Sequence, residues 1–343
     1  MLHSSKAPLT GAVLTLALTL TLLTHAPPAY AQTLVNPVSE AAYVRHMNKF
    51  YVAGGGLIRE IKPTGNFFTI PDRVPGDGQF ATLDLSNPWP ASAPLWTKLS
   101  TAPKAMDYPV AMNANGTKLI AFQGGQNVTD TFAQVYDCLT DTWKPSSIRV
   151  PKPSRLGLRA VLDPRSNTVY MAGGYEDNDN LDQMYVYHWD TDQLTKDAMP
   201  VAVTRKIYYK AVWWSTKSSI LFFGGYTLPG PEFVRPEINV FNPDAKSWSV
   251  LQTTGSGPGE RADMCMAISD DGTKLVIFGG RHYAKFEQAI VGEIYVLDLN
   301  TMIWTRGQDY ATPRIYTTCT IVDDTFLSWG AIGCNSYCKF YAN

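Results

Sequence analysis

A basic residue recurs at one place in five segments of the chain, each time just before a predicted strand. These residues are Lys104, Arg155, Arg205, Arg261 and Arg314, and three of them are followed two to four positions later by Tyr108, Tyr208 and Tyr316. Guanidinium groups match planar anions with paired hydrogen bonds. We therefore expect these side chains to surround one mouth of a channel and to bind a carboxylate, a sulfate or a sugar. The alternative is that each arginine holds neighbouring structural units together.

Other motifs for catalysis or metal binding are weak. Residues 176–182 offer oxygen ligands for Ca²⁺, but the rest of an EF-hand loop is missing, which favours a solvated polar loop. The histidines beyond residue 31 are His46, His188 and His282, and there is no G-x-S-x-G, H-E-x-x-H or P-loop motif. We predict no cofactor, no metal site and no catalytic residue.

The elements that would position these side chains follow from an internal repeat with a period of about 50 residues. In each repeat a strand-like run ends in two glycines, a variable loop follows, and a later strand leads to a tryptophan. The glycine pairs are Gly54-Gly55, Gly124-Gly125, Gly173-Gly174, Gly224-Gly225 and Gly279-Gly280. The tryptophans are Trp143, Trp248 and Trp304, each six residues after Asp137, Asn242 and Asp298 respectively, and His188 to Leu194 keeps this spacing with leucine. Such a period indicates a repeat architecture.

The fifth repeat shows how one unit folds. An apolar strand over 264–268 is followed by an Asp-Gly turn and a second strand over 274–278, which ends at Gly279-Gly280. A third strand over 293–299 and a fourth over 303–305 complete the unit. Four antiparallel strands make a small sheet, and sheets stacked around an axis give a β-propeller.

This combination of diglycine and downstream tryptophan is similar to the kelch motif over nearly all of residues 32–343. The resemblance implies an all-β, kelch-type β-propeller of about six four-stranded blades, with binding at the channel mouth or on the face of the 2–3 and 4–1 loops. The sixth blade is incomplete at the C-terminus. Either residues 33–38 close the ring, which we favour, or the chain is cut short.

The repeat is also similar to that of galactose oxidase, a copper radical oxidase, and this resemblance implies a copper held by two histidines and two tyrosines. Tyr187-His188 and His282-Tyr283 are adjacent pairs of these residue types. However, Tyr187-His188 falls on a predicted third strand, away from the axis, and a second suitably placed histidine is lacking. We therefore predict a recognition module for a protein or glycan ligand, with an oxidase of this type as the alternative.

The first 31 residues are typical of a secretory signal peptide. A lysine at position 6 precedes an apolar run over 11–23, and Ala29-Tyr30-Ala31 predicts cleavage before Gln32. Residues 32–343 would then form the secreted propeller, and Asn115 and Asn127 begin N-glycosylation sequons. The apolar run is shorter than the roughly 20 residues of a membrane span. The formal net charge of −1 argues against a nucleic-acid partner, and we expect a monomer.

Five cysteines remain after residue 31: Cys138, Cys265, Cys319, Cys334 and Cys338. Because the number is odd, at least one thiol is unpaired or pairs between molecules. Cys334 and Cys338 are close enough in sequence to pair. We interpret the other three as small core residues.

Overall fold

The structure is a computed structural model in which part of the chain is described. The described residues are 23–24, 38–58, 62–64, 67–69, 73–89, 94–122, 132–149, 157–174, 183–200, 206–227, 232–233, 235–284, 287–310, 312–330 and 332–333. They form β-strands, connecting turns and a 3₁₀ helix at Ser215–Lys217.

Five antiparallel sheets follow one another along the chain, each with its four strands in sequence order. The strands of the first three are Ala42–His46, Lys49–Ala53, Phe80–Asp84 and Trp96–Lys98; Val110–Met112, Lys118–Ala121, Phe132–Asp137 and Thr142–Arg149; and Arg159–Asp163, Thr168–Ala172, Gln183–His188 and Gln193–Ala198. Those of the fourth and fifth are Lys210–Trp214, Ser219–Phe223, Ile238–Asn242 and Ser247–Leu251; and Cys265–Ile268, Lys274–Phe278, Ile294–Asp298 and Ile303–Arg306, with Thr254–Gly255 added in parallel to the last.

The sixth sheet has two strands of its own, Thr318–Val322 and Thr325–Trp329. Leu23–Thr24 pairs in parallel with Thr325–Trp329, and this short strand falls inside the segment interpreted as a signal peptide. Of the segment proposed to close the ring, residues 33–37 lie outside the described residues. Val38 packs in the apolar cluster between the sixth and first sheets. Closure by this segment stays a prediction.

The six first strands contact one another in order around a closed ring, which makes the sheets the blades of a propeller. An apolar cluster fills each of the six contacts between neighbouring blades. Between the fourth and fifth blades, for example, Leu221 and Phe223 pack with Met266, Ile277 and Leu297, all almost fully buried. Burial of apolar surface at these contacts is the main favourable contribution to folding. The predicted all-β propeller with six blades is confirmed.

The constant spacing of six residues before each tryptophan comes from the turn between third and fourth strands. Asp298 Oδ1 accepts hydrogen bonds from the backbone N–H groups of Asn300 and Thr301, both at 2.9 Å, and Asp137 caps the second blade's turn in the same way. Four residues after this cap the backbone turns left-handed, with φ of 60° at Met302. Because the cap and the left-handed residue fix the turn, the tryptophans of the second, fourth and fifth blades take equivalent places in the sheet, opposite Tyr136, Phe241 and Leu297.

The three repeat tryptophans differ in burial. Trp304 is 6% exposed and packs between the fourth and fifth blades, where its Nε1–H donates to Thr253 Oγ1 at 3.1 Å. Trp143 and Trp248 are partly buried at the edges of the corresponding clusters. The ring of Trp143 lies 5.2 Å from that of Phe80 in the first blade. All three therefore contribute to contacts between blades.

Four glycine pairs are described, and both members of each have positive φ; Gly124-Gly125 lies outside the described residues. At Gly224 a side-chain carbon would stand 2.4 Å from the carbonyl oxygen of Arg261 in the next blade. Only glycine fits such a close backbone approach at positive φ. The first glycine of each described pair therefore marks a close contact with the backbone of the next blade.

The cysteines differ from the sequence interpretation. Cys265 and Cys319, interpreted as separate core residues, form a disulfide with their Cα atoms 6.0 Å apart. They lie on the first strands of the fifth and sixth blades, which the ring brings side by side. Cys138 is free and partly buried. Cys334 and Cys338 lie outside the described residues.

Candidate functional site

A residue in the left-handed conformation stands just before the first strand of every blade. These residues, which we call the belt, are Glu40, Asp107, Gly157, Tyr208, Asp263 and Tyr316, with φ between 52° and 71°. Non-glycine residues adopt this conformation uncommonly. Its recurrence in all six blades indicates that the shared packing around the axis imposes it.

Backbone hydrogen bonds join the belt from blade to blade. The N–H of Asp107 donates to the carbonyl of Glu40 at 2.8 Å, and that of Asp263 to the carbonyl of Tyr208 at 3.1 Å. Tyr316 donates to Asp263 at 3.0 Å, and Glu40 donates to Tyr316 at 3.3 Å, which joins the sixth blade to the first. These hydrogen bonds connect neighbouring blades around the axis, at the end where the first strands begin.

Arg281 fills the centre of the belt on the side of the 2–3 and 4–1 loops, which we call the loop face. It follows Gly279-Gly280 and forms a buried ion pair with Asp263. Its guanidinium carbon lies 5.9, 5.3 and 6.0 Å from the ring centres of Tyr208, Tyr226 and Tyr316. Burial is the largest single influence and lowers the pKa of Arg281, but Asp263 together with Tyr316 and Tyr226 outweighs it, so that the net effect raises the pKa. The guanidinium group of Arg281 therefore occupies this end of the axis, held by Asp263 and the three tyrosine rings.

Beyond the belt, the first strands enclose a channel of about 500 Å³. It begins beside Lys210 and Arg159 and extends to the turns between first and second strands, on the face we call the turn face. Met47, at the rim on that face, is 77% exposed, whereas Arg45 spans the rim and pairs with Asp270 at 2.7 Å. The channel is a blind cavity that opens on the turn face.

Charged side chains gather at the closed end of this channel. Arg159 Nη1 lies 2.8 Å from Asp107 Oδ1. Lys210 is only 3% exposed, and its ammonium lies 5.6 Å from the centre of the Tyr43 ring. Burial lowers the pKa of Lys210 to about 7, and the nearby Arg159 acts in the same direction, while Asp107, Asp263 and Glu40 oppose the shift.

The predicted basic residues that are described lie mostly buried on the loop face. Arg261, with no exposed surface, pairs with Glu293 at 2.8 Å and donates from Nη1 to the carbonyl of Gly279 at 3.2 Å. Arg314 donates in the same way to Gly330 at 3.0 Å. Lys104 is exposed. Arg155 and Arg205 lie outside the described residues, as do residues 176–182. Each of these contacts of Arg261 and Arg314 lies within a single blade, and both the binding role and the alternative of joining neighbouring blades stay predictions.

Two of the five predicted basic residues, Lys104 and Arg205, lie one residue before the structurally equivalent position. Arg155, Arg261 and Arg314 stand two residues before the belt, and in the fourth blade this position is Lys206 rather than Arg205. Lys104 likewise stands one residue early, because the equivalent position is alanine. The carbonyl groups here accept N–H bonds from the preceding blade's second glycine, as from Gly280 to Arg314 at 2.8 Å. The position thus serves the backbone between blades.

The three tyrosines predicted to accompany the basic residues do not all lie at the axis. Tyr208 and Tyr316 belong to the belt and reach the axis, where they contact Arg281. Tyr108 is one residue beyond the belt, is 1% exposed, and packs against Gly54 of the first blade. The structure therefore brings two of the three together. Sequence reasoning missed Arg281, Arg159 and Lys210, for which the only available signal was a charge next to a diglycine or within an otherwise apolar strand.

The oxidase alternative gains no support from the histidines. His188 lies on a third strand, with Nδ1 3.3 Å from Thr168 Oγ1, and His282 lies on the short strand Arg281–Ala284. Within the described part of the chain, no group of three or more His, Cys, Asp and Glu side chains is placed to hold a metal ion. Among the same residues, none forms a helix long and apolar enough to span a membrane.

Comparison with known proteins identifies similar repeats. The family model described as "KLHDC2/KLHL20/DRC7 Kelch-repeats domain" matches residues 208–341. "Rab9 effector protein with kelch motifs" from Bos taurus is 24% identical over 50% of this chain and 47% of that protein. "Kelch domain-containing protein 2" from Bos taurus is 26% identical over 50% of this chain and 46% of that protein. The chain spans less than half the length of these curated relatives.

Among solved structures, "Structure of YjhT" is similar with a TM-score of 0.59 and 14% sequence identity. The match covers 85% of this chain and 90% of that chain. At this identity the likeness concerns the fold.

Proposed function

This chain is a kelch-repeat β-propeller, and we propose that it is a secreted recognition module that binds a protein ligand on its loop face. The relatives named above, one of them an effector protein with kelch motifs, support a role in protein binding.

The shape of the loop face carries this proposal. Above the uniform belt, the 2–3 connections build strand pairs of different sizes in different blades. In the first blade Gly56–Ile58 pairs with Arg73–Pro75, and Lys62–Thr64 pairs with Phe67–Thr69. In the fifth blade Arg281–Ala284 pairs with Glu287–Ile290, and the latter strand contacts Phe67–Thr69 across the face. Variation concentrated on one face of a rigid scaffold is typical of binding surfaces.

Three features support secretion. The first 31 residues are typical of a signal peptide. The disulfide between Cys265 and Cys319 is of the kind that persists in oxidising compartments. Asn115 is exposed in the turn between first and second strands of the second blade, where a glycan can be attached. Asn127 lies outside the described residues.

The test probes an array of extracellular proteins and glycans with the chain purified from the medium of a eukaryotic host. One variant replaces residues 59–72 with a four-residue Gly-Asn turn, which removes two strands of the loop face. The matched control changes two exposed residues of the turn face, Met47→Ser and Leu139→Ser.

We expect the wild-type chain to bind proteins on the array, the shortened variant to lose this binding, and the control variant to keep it. The protein purified from the medium should begin at Gln32. Signals on glycans alone, or protein signals lost only in the turn-face control, would contradict the proposed ligand or the proposed surface. Retention of the uncleaved chain inside the host would contradict secretion.

A further inference from the structure

We propose that the blind channel is a second site, separate from the loop face, which binds a small monocarboxylate with an apolar body through Lys210 and Arg159. This site opens on the turn face and does not depend on the loop-face proposal. Its volume of about 500 Å³ is within the usual range of about 300–1,000 Å³ for small-molecule pockets.

Lys210 is the residue that most clearly requires a partner. Its side chain lines the channel and is 3% exposed. Among the described residues its ammonium makes no hydrogen bond and no ion pair, and it lies 5.6 Å from the centre of the Tyr43 ring. A buried charge without a hydrogen-bonding partner is strongly unfavourable. A carboxylate entering the channel would supply that partner.

Arg159 supplies a second cation beside it. Its Nη1 is occupied by Asp107 at 2.8 Å and the carbonyl of Leu158 at 3.0 Å, but Nη2 donates to no described group. The side chain is 17% exposed and lines the channel. The charge of Arg159 contributes to the lowered pKa of Lys210, so the two cations repel each other, and an anion that contacts both would offset this repulsion.

The surrounding charges and walls define the kind of anion. The carboxyl groups of Asp107, Asp263 and Glu40 act on Lys210 from the belt and would repel a doubly charged ligand. The walls towards the turn face include Val161, Ala267 and partly buried Trp213. A singly charged carboxylate with an aliphatic or aromatic body fits both conditions better than sulfate or phosphate.

The affinity should depend on pH through Lys210. The groups that act on it are Arg159, the three belt carboxyls and the ring of Tyr43, whose own pKa is raised by burial so that its hydroxyl stays neutral. Because binding needs the charged ammonium and burial lowers its pKa, affinity should fall as pH rises above neutrality. The fall approaches about tenfold per pH unit once Lys210 is mostly neutral.

Isothermal titration of the purified full propeller with benzoate, hexanoate, sulfate and neutral benzamide, at pH 6 in a sulfonate buffer, tests the proposal. Lys210→Met removes the charge with little change of volume, and Lys246→Met, at a residue whose side chain is 71% exposed, is the matched control. We expect benzoate or hexanoate to bind, benzamide and sulfate to bind poorly, and Lys210→Met to weaken binding by at least about tenfold, or 1.4 kcal/mol. Lys246→Met and the shortened loop-face variant should bind like wild type.

A second measurement does not depend on the variant folding. Benzoate should slow acylation of Lys210 in the wild-type protein, as followed by peptide mass spectrometry, without slowing acylation of Lys246. Absence of carboxylate binding to wild type, equal binding by Lys210→Met, or equal binding of sulfate would overturn the proposal, as would acylation of Lys210 that benzoate leaves unchanged.

Discussion

The carboxylate of Asp107 joins the second and third blades at the closed end of the channel, with Oδ1 2.8 Å from Nη1 of Arg159. Its other oxygen, Oδ2, accepts the backbone N–H of Gly157 at 3.0 Å. In the neighbouring contact from first to second blade, the belt N–H donates instead to a backbone carbonyl. At Gly157 a side-chain carbon would stand 2.5 Å from the N of Tyr208. Here glycine allows the close approach, and a side chain supplies the acceptor.

Loss of the disulfide should lower stability more than loss of the free thiol. Cys265→Ser with Cys319→Ser removes a crosslink between residues 54 apart in sequence, on neighbouring first strands. We expect the free energy of unfolding in urea to fall by about 2–4 kcal/mol. Cys138→Ser, at the free and partly buried thiol, is the control and should cost less. Equal losses in the two proteins, or an unchanged wild-type melting temperature under reducing conditions, would contradict a structural role for the crosslink.

Trp304→Ala should be strongly destabilising because the side chain is 6% exposed and packs between two blades. A cost of about 3–5 kcal/mol is expected for truncating a buried aromatic residue. Ile303→Ala, at a neighbour that is 47% exposed, should change stability by less than about 0.5 kcal/mol. Chemical denaturation of both variants measures the difference, and similar costs for the two would argue against this packing.

Arg261→Gln distinguishes stabilisation of the structure from ligand binding. The change leaves Glu293 with the more exposed Arg306 as its remaining partner at 3.1 Å, and it removes the hydrogen bond to the carbonyl of Gly279. Breaking a buried pair costs about 3–5 kcal/mol. Arg306→Gln, at a side chain that is 46% exposed, should cost much less. A variant that keeps its melting temperature but loses loop-face binding would instead support the ligand role predicted for the basic residues.

The stability of the protein should rise with pH above neutrality because of Lys210. Its pKa in the folded state is about 7, below the usual value of about 10.4. Between these values the unfolded chain binds the additional proton, so the free energy of unfolding increases with pH, on the order of 1 kcal/mol per pH unit. Lys210→Met should remove this slope between pH 7 and 10, as measured by urea denaturation. A variant with the same slope as wild type would show that Lys210 is not the group responsible.

The sequence predicted the blades well because their signals are local. The first glycine of each described pair meets the backbone of the next blade, and the six-residue spacing reflects one turn capped by residues such as Asp298. The axis was harder to predict. The left-handed conformation of residues such as Glu40 and Tyr208 is not indicated by any sequence pattern. Without that reference point, the sequence pattern matches Arg205 to Arg261, although Lys206 is the structurally equivalent residue.

The channel and the disulfide could not be read from local patterns because they depend on which strands become neighbours. Cys265 and Cys319 meet only when the fifth and sixth first strands lie side by side. In the sequence Lys210 is only the first residue of a predicted strand. In the structure its side chain lines the channel along the axis. Charged residues in such strands are informative only after the topology is known.

Four hydrogen bonds between neighbouring belt residues are made by main-chain atoms alone, so these bonds do not depend on the side chain at either position. Residues as different as glutamate, aspartate, glycine and tyrosine occupy equivalent positions around one axis. Substitution of Glu40, Tyr208 or Tyr316 should therefore change the chemical character of this end of the axis while the main-chain bonds remain, whereas Asp107 and Gly157 are constrained by the contact between the second and third blades.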